Sequence, residues 1–144
     1  MLLPIRDNVS VDQKVAMAIK TPTWLRIVAA IALLWNAIGV FFYLVQVGLI
    51  SSPPDMPRTE LPAAITAAYA IGVFGAVAGC LGLLLGRRWA YPVLLVSLIA
   101  LIIDWGWQLT NTAEASLPLG ITVLAIAVIL PLLARRAIKA GWLR

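Results

Sequence analysis

Charge is nearly absent from four long stretches of this chain, and that absence decides what the chain can fold into. Arg26 and Asp55 enclose 28 uncharged residues and Glu60 and Arg87 enclose 26; Arg88 and Glu114 enclose 25 with Asp104 as the sole charge, and Glu114 and Arg135 enclose 20. Roughly 20 apolar residues in a helix cross the hydrocarbon core of a bilayer. Within lipid, only a helix or a closed barrel satisfies its own backbone. The pattern therefore predicts an all-α, polytopic integral membrane four-helix bundle, with spans over about 24–49, 62–86, 89–110 and 116–135. A chain that is 62% hydrophobic and 12% charged, with mean hydropathy +0.99, is too apolar for a soluble domain.

The charges that remain are sorted. Arg6, Lys14, Lys20 and Arg26 precede the first span, Arg87 and Arg88 lie between the second and third, and Arg135, Arg136, Lys139 and Arg144 follow the fourth. An even number of crossings puts these ten on one side, against Arg58 alone among Asp55, Glu60 and Glu114 on the other. Basic residues stay on the cytoplasmic side during insertion, so both termini are expected in the cytoplasm of a bacterial inner membrane. The isoelectric point near 10.0 then needs no nucleic-acid partner; its partner is the bilayer. The uncharged run after Arg26 is too long for a cleaved signal peptide and is preceded by Asp7 and Asp12.

Punctuation refines this division. Residues 1–22 form a leader in which "SVDQKVAMAIK" has capping-box spacing at Ser10 and Gln13, with Val11, Val15, Ala18 and Ile19 on one helical face. A short helix on the cytoplasmic interface is expected there. Residues 23–144 hold the membrane domain. Thr21 and Pro22 read as a helix cap and first-turn pair, Pro62 as the start of the second span, Pro118 as a first-turn proline of the fourth, and "GRRW" as a tight turn that makes the second and third helices antiparallel neighbours. Trp24, Trp89 and Tyr91 suit the inner interface, and Trp105 and Trp107 the outer one. Pro131 lies inside the fourth span, where its missing N–H is expected to loosen the helix.

With no histidine and one cysteine, the chain lacks the clustered imidazoles or thiols that metal, haem and disulfide chemistry require, so no metal site and no cofactor are expected. Cys80 sits among glycines in "GAVAGCLGLLLG" and reads as a small packing residue. No nucleophile with a paired base is visible, which argues against an enzyme.

Three patterns remain. Gly72, Gly75, Gly79, Gly82 and Gly86 alternate spacings of three and four, with Ala68 extending the stripe. Small residues let helix backbones approach closely in lipid, so this seam marks a packing face, either within the chain or toward a protein partner or second copy. On span one, Asn36, Gly39, Tyr43 and Gln46 share a helical face, with Asn36 near mid-bilayer. On span three, Ser97, Asp104 and Asn111 are seven apart, with Gln108 four beyond Asp104, an inward polar stripe.

Asp104 is the one charge within a span. It follows Trp89 by 15 residues, about 22 Å along a helix axis, which places it in the outer third of the membrane. A carboxylate at the bilayer centre costs about 2.5–3.5 kcal/mol on insertion scales, and less toward the interface. Tryptophan indoles, Gln108 or Arg58 are available to hold it. Two roles stay open: a hydrogen-bonded structural group, or a contact for an ion, proton or ligand together with Asn36, Gln108 and Tyr43.

The segments "LLWNAIGVFFYL" and "GAVAGCLGLLLGRRWAYPVLLVSLI" resemble a loose group of small, uncharacterised bacterial four-helix inner-membrane proteins. The shared pattern is a Trp-Asn-x-x-Gly-Val start, a glycine-rich second span and an arginine-tryptophan turn. Trp35, Asn36, Gly39, Val40, Gly75, Gly79, Arg87, Arg88 and Trp89 carry it here, whereas Phe42 stands where that group often has an acidic residue before the tyrosine. Some members are labelled sugar transporters, which implies a transport role.

Composition points first to a non-enzymatic accessory or assembly partner of other membrane components. The alternative is a small transporter or channel subunit, dimeric because four helices enclose little space, with a periplasm-facing polar site around Asp104.

Overall fold

The computed structural model describes residues 21–56, 58–113 and 115–144. These hold four helices: α1 (Thr23–Gln46), α2 (Ala63–Leu84), α3 (Ala90–Asn111) and α4 (Leu117–Lys139). All four are long and apolar enough to span a membrane, and large apolar side chains such as Ile31, Leu34, Ile71, Ile99, Ile121 and Leu132 point outward. In water such a surface would aggregate; in lipid it is solvated. The leader helix expected around residues 10–20 lies outside the described residues.

One proline acts as expected: α4 carries Pro118 in its first turn, whereas Pro62 is the cap residue that precedes α2. Pro22 is likewise the cap residue of α1 rather than its first-turn residue, and the Thr21 hydroxyl donates instead to the carbonyl of Trp142, 2.9 Å away. At their other ends α1, α2 and α4 share one device. Gly48, Gly86 and Gly141 have φ of +83°, +67° and +75°, and the next N–H in each case reaches back five residues: Leu49 to Leu44, Arg87 to Gly82 and Trp142 to Ala137. This satisfies carbonyls that a helix end otherwise leaves unbonded. α4 runs unbroken through the buried Pro131 and continues past Arg135, four residues beyond the expected boundary.

Close packing follows chain order: α1 on α2, α2 on α3, α3 on α4, with a light contact between α2 and α4. The tightest pair is α2 with α3, and the glycine seam is its cause. A Cβ on Gly72 would stand 2.7 Å from Leu101, on Gly75 3.1 Å from Ser97 and on Gly82 2.9 Å from Ala90, and one on Gly79 would run into Leu94. The seam is thus covered by α3 of the same chain. Gly86 is not part of it. The helix ends at Leu84, so the three-four spacing runs one step past the last turn, and Gly86 serves the turn instead.

At the end carrying Arg26, Arg87, Arg88, Arg135, Arg136, Lys139 and Arg144, one cluster joins all four helices: Leu25 and Ala29, Cys80 and Leu83, Ala90 and Leu94, Ala134 and Ala137, with Leu143 behind them. The final residues lace across it. Arg144 N–H donates to the Gly86 carbonyl at 2.7 Å, Arg88 N–H donates to the Arg144 carbonyl at 2.9 Å, and Trp142 meets Trp24 edge-on at 5.8 Å. The seven cationic side chains themselves are exposed. This basic end is therefore closed.

A candidate solute-binding cavity around Asp104

The opposite half of the bundle is not closed. The seam fixes an antiparallel register in which Leu94, Ser97 and Leu101 follow one another along the face of α3 that meets Gly79, Gly75 and Gly72. One more step along that face is Asp104, and one more step along α2 brings Ala68 and Tyr69 rather than glycine. Asp104 is therefore drawn inside by the packing of its neighbours, and only 1% of its surface is exposed.

Around it lies a cavity of about 320 Å³ lined by all four helices and by the loop between α1 and α2. Trp35, Asn36, Gly39, Phe42 and Gln46 come from α1, Tyr69 and Val73 from α2, Leu101, Asp104, Trp105 and Gln108 from α3, and Leu119 and Val123 from α4. Met56, Arg58 and Thr59 form the loop side. The lining is mostly apolar and aromatic with a few polar groups, the usual make-up of a small-molecule site.

The Asp104 carboxylate is half satisfied. Gln108 Nε2 donates to Oδ2 at 3.0 Å, while Oδ1 is buried and receives no hydrogen bond from any described residue. Leaving a buried acceptor unbonded costs about 1–3 kcal/mol, and more when it is charged. Arg58 does not relieve it. Its guanidinium packs beside Gly48 and donates to the Ile50 carbonyl at 3.4 Å. Gln46 donates its amide to the Thr59 carbonyl, which ties the loop to α1 at the cavity edge. Trp105 is held by a notch in α4, where a Cβ on Gly120 would approach its ring to 2.8 Å.

Of the residues expected at a ligand site, Asp104, Asn36 and Gln108 are brought together and Tyr43 is not. Tyr43 leaves the cavity lining because its ring packs edge-on against Tyr69 at 5.4 Å and Phe74 at 5.7 Å, on the α1–α2 contact. Asn36 donates to its own helix at the Ala32 carbonyl, 2.7 Å away, and approaches Cys80 Sγ at 3.8 Å. Asn111 is also misplaced by the sequence reading: it is exposed at the end of α3 and bonds the Trp107 carbonyl, because the inward stripe ends with Gln108. Tyr69 and the Trp35–Trp105 walls were missed. The signal for Tyr69 was the seam itself, which continued by one turn from Gly72 reaches it.

Among the described residues, no group of three or more histidine, cysteine or acidic side chains could hold a metal ion. Comparison with protein-family models, with curated proteins and with solved structures gives no match for this chain.

Proposed function

We propose that this chain is a non-enzymatic, multi-pass protein of a bacterial inner membrane, with both termini cytoplasmic, that binds a small solute in a cavity facing the periplasm, as a small transporter or channel subunit. One observation carries the reading: Asp104 is buried beside a cavity of about 320 Å³ with one carboxylate oxygen left unbonded. A purely structural role accounts for the oxygen that accepts from Gln108 and leaves the unbonded one without a use. The orientation rests on the seven described cations at one end and on the sequence order that assigns Arg6, Lys14 and Lys20 to the same side of the first span. Because the leucine and alanine cluster closes the basic end, passage across the membrane needs a second copy or a rearrangement of the helices.

Thiol accessibility tests the site. In a Cys80→Ala background, Val123→Cys places a thiol in the cavity and Ile129→Cys places one on the exposed outer face of the same helix. A water-soluble, membrane-impermeant thiol reagent added to the periplasmic side should label Val123→Cys and spare Ile129→Cys. Failure to label Val123→Cys, while a thiol at Met56 in the loop reacts, would remove the solute-binding reading.

A further inference from the structure

We propose that the solute taken by this cavity is a small organic ammonium ion, a protonated primary or secondary amine on an aromatic or branched apolar body. The inference rests on the reading of the cavity as a solute site and adds the chemistry of its ligand.

The carboxylate of Asp104 specifies the polar part. Oδ2 already accepts from Gln108, and what Oδ1 lacks is a donor. An ionised carboxylate only accepts hydrogen bonds, so its complement is an N–H, and a charged one forms the shorter and stronger bond. A protonated amine supplies both the hydrogen and the positive charge that a buried carboxylate requires. A neutral sugar hydroxyl supplies the hydrogen alone and leaves the charge uncompensated.

The walls specify the rest. Trp35, Phe42, Tyr69 and Trp105 contribute aromatic rings to the lining, and ring faces attract cations most strongly where water is excluded. Val73, Leu101 and Val123 offer apolar surface to a hydrocarbon body. A bare metal ion suits this lining poorly. Hard cations take six or more oxygen ligands, and Asp104 is the one carboxylate among the described residues lining the cavity. Arg58 stands on the loop side with its guanidinium turned to the Ile50 carbonyl, so it leaves the carboxylate free; its positive charge would attract an anionic group at the loop side, while Asp104 disfavours anions deeper in the cavity. A zwitterion whose carboxylate reached Arg58 is the competing ligand class, and the experiment separates the two.

The full chain, purified in mild detergent or reconstituted in nanodiscs, is titrated with four compounds of matched shape, and binding is read from tryptophan fluorescence and calorimetry. Phenethylammonium is the probe. Propylbenzene replaces its ammonium with a methyl group, phenylalanine adds a carboxylate, and 3-phenylpropionate carries the opposite charge. Phenethylammonium should bind more tightly than each of the others by about tenfold or more. Asp104→Asn should weaken it by on the order of 10- to 100-fold, since one partner of a buried charge pair is removed, while leaving propylbenzene within about twofold. Asp104→Glu should recover part of the affinity, and thermal melting establishes that each variant is folded.

Equal binding of propylbenzene and phenethylammonium, or unchanged amine affinity in Asp104→Asn, would overturn the ammonium assignment while the cavity remained a binding site. Tighter binding of phenylalanine, lost in Arg58→Gln, would replace it with the zwitterion. Absence of binding by all four compounds to the folded parent would refute the ammonium assignment, and the labelling of Val123→Cys then decides separately whether the cavity is a solute site at all.

Discussion

Ser97 on α3 donates its hydroxyl to the backbone carbonyl of Gly72 on α2 at 2.6 Å, across the interface where the glycine seam lets the two helices approach closely. The bond and the glycines depend on one another. A side chain at Gly75 would press on Ser97, and without the glycines the carbonyl of Gly72 would be out of reach. One interhelical hydrogen bond of this kind contributes about 0.6 kcal/mol in a membrane protein. Ser97→Ala should therefore lower stability only slightly, as read by unfolding in mixed micelles.

Substitution on the seam should cost far more. Gly79→Leu forces a bulky side chain against the buried Leu94, and should destabilise the bundle by about 3 kcal/mol or more. Gly106 is the internal control. Nothing lies within 4 Å of a Cβ placed there, so Gly106→Ala should be neutral or stabilising by up to about 1 kcal/mol through helix propensity. Equal melting of Gly79→Leu and the parent would place the seam toward lipid.

Asp104→Asn should not reduce thermal stability. Asparagine keeps an acceptor for the Gln108 amide and removes a charge that the bundle leaves half unbonded. The same variant should lose solute binding or flux in vesicles. A clear drop in melting temperature with flux intact would make the carboxylate a structural group.

The basic end should respond to its final residues. Leu143 is buried in the cluster at the basic end while its neighbour Arg144 bonds both Gly86 and Arg88, so Leu143→Ala should cost about 2 kcal/mol or more. Gly86→Ala should cost about 1–2 kcal/mol, since φ of +67° is strained for any residue with a Cβ and Thr21 Oγ1 stands 3.0 Å from where that Cβ would lie. Denaturant titration of each variant measures both.

Orientation is checked with reporters. Fusions after Asp55 and Glu114 should report periplasm and one after Arg144 cytoplasm. A cytoplasmic signal at Asp55 would overturn the span assignment and the facing of the cavity with it.

The sequence alone determined the four helices, their limits to within a few residues and the separation of charge between the two ends. These follow from hydropathy and charge, which act residue by residue along a span. It also showed that Asp104 was the group to explain. Only the tertiary structure decided which apolar face looks inward. In lipid both faces of a helix are apolar, so Val73, buried, and Ile71, exposed, look alike in sequence. The partner of the seam, the turn role of Gly86, the removal of Tyr43 from the cavity and the arrival of Tyr69, Trp35 and Trp105 around Asp104 all depend on how helix pairs set their register. That register is fixed where Gly72, Gly75, Gly79 and Gly82 admit α3, a contact between residues far apart in sequence that no local pattern contains.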